Sequence, residues 1–413
     1  MSGFGLLGEK LAHSYSPEIH ARLADYDYRI YEKKREELDD FLRKGEWQGL
    51  NVTIPYKTAV IPYCDEIEPE AARIGSVNTL VRRRDGTLFG ANTDAYGFRA
   101  MIRKSGITVS GEKVLVLGSG GASKTAVAVM HALSAKDVVV ISRNGENHYG
   151  NLYRHRDAGI IVNTTPVGMY PSNGKAPLSL SQFPTCCGVL DLVYNPARTA
   201  LLLEAEKLGI PHAGGLYMLV AQAKRSAELF TGEVLPDARI DEIEEELANS
   251  MQNIILIGMP GCGKSTIARI LGERLGRPVL DTDLLVEEKA GCSIPEIFEK
   301  SGEESFRKLE TEVLAEVGKL SGQILATGGG CVTREENYPL LHQNGKIFWI
   351  FRPLALLEKT GRPLSQRQNM EEMYRRREPS YRAFSDFTAD NSESPEKAAD
   401  EIRAHLADHS GER

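Results

Sequence analysis

Apolar and polar residues follow two alternating periods along this chain. Short runs dense in Val, Ile and Leu lead into glycine-rich turns and then into stretches whose apolar residues recur every three or four positions. The clearest such segments begin at Lys113 (KVLVLGSGGASKTAVAVMHAL) and Asn253 (NIILIGMPGCGKSTIARILGERLG). Each predicts a buried strand that delivers the chain into the N-terminus of a helix. The first 95 residues have their own alternation. A strand-like opening precedes the helix candidate SPEIHARLADY, and LNVTIP, VNTLVRR and TLFGANTD read as strands or their ends. Asp241 to Gln252 (DEIEEELANSMQ) is acidic and free of glycine, which predicts a helical connector, and SESPEKAADEIRAHLADH predicts a capped last helix. The fold class is α/β throughout. The expected division is 1–95 for a separate α/β layer, 96–237 for the first strand-turn-helix domain, 238–251 for an acidic helical linker and 252–413 for a second parallel-sheet domain.

Composition narrows the function classes. A chain of 413 residues with 41% hydrophobic and 26% charged residues has ample material for several cores. No apolar stretch approaches the roughly 20 residues a membrane helix needs, so no membrane role is expected. Fifty Lys and Arg against 57 Asp and Glu leave a net charge of −7, which offers no global positive field for nucleic acid. Anionic ligands must then be held by local pockets. The six cysteines follow neither a C-x-x-C nor a zinc-site spacing, and the opening MSGFGLLGEKLAHSYSP lacks a secretory pattern. A reduced, cytoplasmic protein is expected; nothing in the pattern fixes an oligomeric state.

The first glycine turn, Gly118-Ser119-Gly120-Gly121-Ala122, holds the first two glycines of a dinucleotide fingerprint, with Ser123 in place of the third. Free N–H groups at the helix start suit a pyrophosphate. The next strand candidate, Val138 to Ser142, ends in Arg143, where NAD-binding folds usually carry an acidic residue. A cation there favours the 2′-phosphate of NADP(H), the plain alternative being a solvated surface arginine. The second turn, Gly258 to Ser265, matches G-x-x-x-x-G-K-[ST] at every position. Backbone N–H groups of Gly261, Cys262, Gly263 and Thr266 would wrap the phosphates of ATP, Lys264 would reach the β- and γ-phosphates, and Ser265 would ligate Mg²⁺. Asp281 and Asp283 follow a short strand, where one carboxylate could order the metal shell and the other accept a proton from an acceptor hydroxyl. Arg307, Arg362 and Arg377 supply cations for a negatively charged transfer.

In order along the chain, these motifs resemble two families. The first roughly 237 residues resemble shikimate dehydrogenase, through His13-Ser14-Tyr15-Ser16-Pro17, Asn51-Val52-Thr53-Ile54-Pro55-Tyr56-Lys57, Gly75-Ser76-Val77-Asn78-Thr79 and Asn92-Thr93-Asp94. The later segments Asn163 to Met169, Asp191 to Pro196 and Gly214 to Gln222 agree. The resemblance implies that Ser14, Ser16, Thr53, Asn78 and Gln222 hold a shikimate-like ring, with Tyr194 nearby, and that Lys57 and Asp94 form the catalytic pair. It places Leu192 and Gly215 by the nicotinamide and Ser142, Arg143 and Asn144 by the adenosine phosphate of NADP(H). One departure is visible: only residues 144–162 separate Arg143 from Asn163, shorter than the family's helix-strand-helix connection.

From about Met251 the chain resembles shikimate kinase, through the P-loop, Asp281-Thr282-Asp283, Gly302 to Arg307 with Glu310, Gly328-Gly329-Gly330, Arg362-Pro363-Leu364 and Arg377 to Tyr381. That resemblance implies that Asp283, Arg307, Gly329 and Arg377 bind shikimate and that Arg362, from a lid, stabilises the transferring phosphoryl group. The lid is compact, and Lys359 is the nearest cation to the position of the family's adenine-stacking arginine. The expectation is a bifunctional enzyme that reduces 3-dehydroshikimate with NADPH and phosphorylates the shikimate produced. Two alternatives stay open: a quinate/shikimate dehydrogenase fused to a kinase of another small alcohol, or a half kept only as a binding or regulatory module.

Overall fold

The structure is a computed structural model that describes residues 3–11, 14–357 and 367–408. It divides into two compact units, Met1–Glu246 and Leu247–Arg413. Among the described residues no helix is long and apolar enough to cross a membrane.

The first unit opens with a six-stranded sheet: β1 (Gly3–Gly8), β2 (Tyr28–Glu32), β3 (Trp47–Val52), β4 (Glu66–Ile67), β5 (Thr79–Arg82) and β6 (Leu88–Ala91), ordered β2-β1-β3-β5-β6-β4. β3, β5 and β6 run antiparallel to one another in turn, and the other pairings are parallel. Leu7, Leu50, Val52, Tyr56 and Leu80 pack beneath Trp47 to form its core. The antiparallel turn-back carries Asn78 on the approach to β5 beside the exit of β3, since Val52 N donates to the Asn78 carbonyl at 2.7 Å.

A second sheet follows: β7 (Lys113–Leu117), β8 (Asp137–Ile141), β9 (Ile160–Asn163), β10 (Gly188–Asp191) and β11 (His212–Ala213). Its order is β11-β10-β9-β7-β8 and every pairing is parallel. The run of buried Val and Leu in β7 is what a strand covered on both faces requires. Connections leave β7 toward β8 on one side and β9 on the other, which opens a crevice at the carboxyl end of β7. The short stretch between β8 and β9 holds a turn, closed by Ser142 N donating to the Asn147 carbonyl at 3.1 Å, and a 3-10 helix, Tyr149–His155. With no strand in that stretch, β8 stands at the edge of the sheet.

The helix Leu216–Thr231 returns to the first sheet and packs along the helix Thr93–Ser105. A Cβ on Gly97 would stand 2.6 Å from the Met218 carbonyl, so the two backbones meet where no side chain intervenes. The segment expected as a linker is the helix Ala238–Met251. Its Ile240, Ile243, Leu247 and Met251 are buried at helical spacing, while Asp241 pairs with Lys104 at 2.7 Å and Glu246 with Arg22 at 2.9 Å. An acidic surface thus covers an apolar stripe.

The second unit is one parallel sheet: β12 (Asn253–Ile257), β13 (Val279–Asp281), β14 (Ile324–Ala326), β15 (Gly345–Phe351) and β16 (Phe387–Asp390), ordered β13-β14-β12-β15-β16. β12 is central and buried along its whole length, and it aims the P-loop out of the sheet's carboxyl edge.

Asp191 ends β10 with no exposure to solvent. Asn163 Nδ2 donates to it at 2.9 Å, Val193 N at 3.0 Å and Thr199 Oγ1 at 2.7 Å. Burial outweighs these bonds and pushes the carboxyl from 3.8 up to about 6. The native state therefore binds this proton more tightly than the unfolded chain, and stability is lost as pH rises between those two values, by on the order of 3 kcal/mol. Asp191→Asn should match the wild type near pH 4 and exceed it at pH 7. Urea midpoints read from Trp47 in a Trp349→Phe background would show this; a constant difference at the two pH values would refute the burial penalty.

Candidate active sites

In the first unit, the loop after β3 brings Lys57 to the start of the helix Thr93–Ser105. Lys57 Nζ donates to Asp94 Oδ2 at 2.6 Å, with side chains only 16% and 9% exposed. Asn92 caps that helix by accepting from Ala95 N at 3.0 Å, so Asp94 is released from capping and faces the lysine. A hydrogen bond between an ammonium and a carboxylate at this distance is short and charge-assisted, and it fixes the direction of both side chains. Asn78 and Gln222 stand close by, with Asn78 Nδ2 donating to Gln222 Oε1 at 3.4 Å. Ser14 donates to Ser16 at 3.2 Å, and Ser16 hydrogen-bonds the Tyr28 hydroxyl. Tyr28 in turn donates to Asn51 Oδ1 at 2.8 Å. Tyr194 meets Tyr15 edge-on at 6.0 Å, which places it beside the serine segment. Thr53 is tied to β1 by its N–H on the Leu7 carbonyl at 2.9 Å. His13 lies outside the described residues.

The dinucleotide turn reaches the same place. A Cβ on Gly121 would lie 3.2 Å from Ser76 Oγ and 3.5 Å from Lys57 Cδ, so the helix Gly121–Ala132 begins directly over Lys57. Gly118 has φ +112° and leads into Ser119 and Gly120, while Ala122 follows in the first turn of the helix. Ser123, in place of the fingerprint's third glycine, turns its hydroxyl onto the Gly118 carbonyl at 2.7 Å and braces the loop from within. Leu192 and Gly215 touch: a Cβ on Gly215 would lie 2.2 Å from the Leu192 carbonyl. Ser142, Arg143 and Asn144 form the turn beyond β8, with Arg143 and Asn144 exposed and Arg143 close enough to Tyr149 to hold down its hydroxyl pKa, although burial raises it overall. The free helix start and the glycine cradle fit a dinucleotide pyrophosphate. Sequence reasoning did not single out Ser76, whose buried Oγ has no hydrogen-bond partner, because a lone serine in a GSVNT run carries no signal of its own.

In the second unit the P-loop closes around its own lysine. Lys264 Nζ donates to the carbonyls of Gly258 at 2.9 Å and Met259 at 3.0 Å. Gly263 has φ +101°, and a Cβ there would lie 2.4 Å from Asn391 Nδ2, which donates to the Cys262 carbonyl at 2.7 Å. Asn391, after β16, is a loop-bracing residue that no motif announces. Gly261 and Cys262 lie in the loop, Cys262 fully buried, and Ser265 and Thr266 open the following helix. Ser265 Oγ donates to Asp281 Oδ2 at 2.8 Å, and Asp281 Oδ1 accepts from Asp283 N at 3.0 Å. Hydroxyl and carboxylate oxygens side by side are the hard donor set that Mg²⁺ takes while keeping several waters, so the residues fit the ion.

Gly328-Gly329-Gly330 form the wall on which Asp283, Arg307 and Arg377, the residues expected to hold the acceptor, meet. A Cβ on Gly328 would lie 2.6 Å from both Asp283 Oδ1 and Glu310 Oε1; one on Gly329 would meet Pro260 of the P-loop at 2.8 Å, and one on Gly330 would meet the Arg307 guanidinium at 2.3 Å. Arg377 Nη1 and Tyr381 Oη both donate to the Gly329 carbonyl, at 3.1 and 2.5 Å. Arg307 Nη1 donates to Glu310 at 2.7 Å, and Nη2 to Glu303 at 3.2 Å. Burial pushes the Glu310 carboxyl up, with Arg307 opposing, while Arg307 stays a cation because its two carboxylates outweigh its own burial. The Nε atoms of Arg307 and Arg377 are buried without partners. Arg362 and Lys359 lie outside the described residues.

Gly330 has an ordinary backbone conformation, φ −108°, so Gly330→Ala is a steric test without backbone strain. The new methyl should displace Arg307 and lower phosphorylation kcat/KM by tens- to hundreds-fold, leaving the first unit's activity unchanged. Steady-state kinetics of both reactions check this; unaltered phosphorylation would show that Arg307 is not needed where it stands.

Comparison with known proteins follows the same division. The family model for the shikimate dehydrogenase substrate binding domain matches residues 6–80, and that for shikimate kinase matches residues 260–407. The shikimate dehydrogenase (NADP(+)) of Clostridium perfringens strain 13 is 35% identical over 268 residues, covering 60% of this chain and 98% of that protein. Among solved structures, shikimate dehydrogenase 1 of Peptoclostridium difficile is 38% identical with TM-score 0.56, covering 60% of this chain and 98% of that one. The shikimate 5-dehydrogenase of Thermus thermophilus, in complex with NADP(H) and shikimate, is 32% identical with TM-score 0.54, covering 60% and 99%. The chain therefore belongs to the shikimate dehydrogenase family and carries a shikimate kinase domain behind that enzyme.

Proposed function

We propose that this chain catalyses two consecutive steps on one ring, the NADPH-dependent reduction of 3-dehydroshikimate to shikimate and the MgATP-dependent phosphorylation of shikimate at its 3-hydroxyl. The observation that carries the reading is the Lys57–Asp94 contact at 2.6 Å beneath the start of the dinucleotide helix. It is matched in the second unit by a P-loop that adjoins the Asp283, Arg307 and Arg377 cluster. The Clostridium perfringens relative is NADP(+)-dependent by name, and Arg143 offers that dinucleotide a cation. When bound, the dinucleotide supplies hydride and MgATP the phosphoryl group.

The chain's own residues do the rest. Asn78, Gln222, Ser14, Ser16 and Thr53 orient the ring, with Tyr194 beside them. The Lys57 ammonium stabilises the oxygen that becomes negative as its carbon is reduced and gives that oxygen a proton. Asp94 then holds the neutral amine in place until solvent restores the proton. In the second unit Arg307 and Arg377 take the ring carboxylate by charge-assisted bonds, Gly329 fits closely against the ring, and Asp283 accepts the proton of the attacking hydroxyl. Lys264 and Arg362 offset charge on the phosphates, and Ser265 and Asp281 hold Mg²⁺. Free thiols throughout the described chain support a reducing, cytoplasmic setting.

One incubation with 3-dehydroshikimate, NADPH and MgATP tests both halves, with NADPH, shikimate and shikimate 3-phosphate quantified separately. The phosphate ester should accumulate only when NADPH is present. Lys57→Ala should lose roughly 10²- to 10⁴-fold in reduction, the usual worth of a positioned acid, and keep phosphorylating added shikimate; Asp283→Ala should do the reverse. Unchanged rates in either variant would sink the corresponding assignment.

A further inference from the structure

We propose that Ser226, which makes no contact with the reacting atoms, is a positioning residue that fixes how the amides of Asn78 and Gln222 are presented to the substrate's ring hydroxyls. The inference rests on reading the first unit as a site for a hydroxylated ring carboxylate.

Ser226 lies one turn beyond Gln222 on the helix Leu216–Thr231, so the two project from the same face. It is fully buried, where a hydroxyl must find partners. Asn51 Nδ2 approaches its Oγ at 2.7 Å, Thr79 Oγ1 and Thr93 Oγ1 each at 3.0 Å, and the Gln222 carbonyl at 3.0 Å.

The sense of these bonds follows from groups that have no choice. The Thr93 backbone N–H can only donate, and it donates to Asn78 Oδ1 at 2.7 Å, which pins that oxygen and sets the amide nitrogen on the other side. The Gln222 carbonyl can only accept, so Ser226 gives it the single hydroxyl proton. With Asn51 donating to it, Ser226 has one lone pair left for a threonine proton. The Thr79 and Thr93 hydroxyls, 3.1 Å apart, then divide their protons between Ser226 Oγ and Asn78 Oδ1, the latter 3.2 Å from each. That arrangement keeps the Thr93 proton from Gln222 Oε1, 3.3 Å away, and leaves this oxygen to the Asn78 amide at 3.4 Å. Gln222 Nε2 spends one N–H on the Leu219 carbonyl at 3.0 Å. Each amide nitrogen carries two N–H groups: Gln222 Nε2 retains one for the ring, while Asn78 Nδ2 gives one to Thr93 Oγ1 at 3.0 Å and holds the other only by the long 3.4 Å contact, from which the ring can draw it.

Without Ser226 Oγ, Asn51 Nδ2 is left with Thr79 Oγ1 at 3.4 Å, and the displaced threonine proton turns to the amide oxygens. Asn78 and Gln222 then present more than one orientation, while the Lys57–Asp94 pair is untouched. The loss falls on binding and not on the chemical step.

Ser226→Ala should raise KM for shikimate and for 3-dehydroshikimate about tenfold, the effect of one well-placed buried hydrogen bond, with kcat within twofold and KM for NADP(H) unchanged. Ser226→Thr, which keeps the hydroxyl, should restore KM; Ser226→Cys, which fills the space with a weakly bonding thiol, should behave as the alanine variant. A purely structural role would lower kcat through loss of active enzyme and leave KM alone, and that result overturns the proposal. Wild-type turnover of shikimate is measured alongside. Its absence would overturn the reading of the site and the proposal with it, whereas wild-type turnover with unchanged KM in Ser226→Ala overturns the proposal only.

Discussion

At both sites a side-chain charge leaves water where a partner is waiting, an opposite charge for Lys57 and Arg307 and main-chain carbonyls for Lys264 and Arg377, and the architecture around each site serves that constraint. Lys57 and Asp94 come from a loop and a helix start far apart in sequence, and neither could be desolvated without the other. The antiparallel β3-β5-β6 segment, the Asn92 cap and the close packing of the helices Thr93–Ser105 and Leu216–Thr231 all act to bring those two ends together. Arg307 and Glu310 solve the same problem in the second unit from adjacent turns of one helix. Asp191, which has hydrogen-bond donors but no cation, shows the other outcome, a carboxyl whose burial is compensated only in part.

Close backbone approach is the second means by which the sites are built. Where a functional side chain must sit against main chain, glycine is present because any Cβ would occupy that volume. Gly121 lets the dinucleotide helix start over Lys57, and the Gly328-Gly329-Gly330 run admits Asp283, Pro260 and Arg307 in turn. The two nucleotide turns differ in how they are held. The first is braced by its own Ser123, and the second by Asn391 from the far end of the domain. A serine can replace the fingerprint's third glycine because its hydroxyl bonds inward to the Gly118 carbonyl, so the side chain joins the loop without obstructing it.

The local signals were legible because they are local in cause. A run such as KVLVLG followed by glycines and a helical pattern reports a buried strand feeding a helix, and both such segments form as read. The P-loop spacing pointed to Lys264, the Asp281-Thr282-Asp283 run after a short strand to Asp283, and the NVTIPYK and NTD motifs, through the family resemblance, to Lys57 and Asp94. The acidic stretch after Asp237 was legible as a helix but not as a packed one, since its Ile240, Ile243, Leu247 and Met251 stripe is diluted by charge when read linearly. The short stretch between β8 and β9 announced a missing element by length, but not that a 3-10 helix would take its place.

The sequence by itself determined which residue types and turns this protein has for its chemistry, because glycine turns, strand runs and motif spacings depend on neighbours a few residues away. Only the tertiary structure decided which of those residues meet. Asn51, Thr79, Thr93 and Ser226 come together across as many as 175 positions, and Asn391 reaches the P-loop across 129. Their effect lies in the direction of a proton or the bracing of a carbonyl, which exists only once the partners stand within about 3 Å.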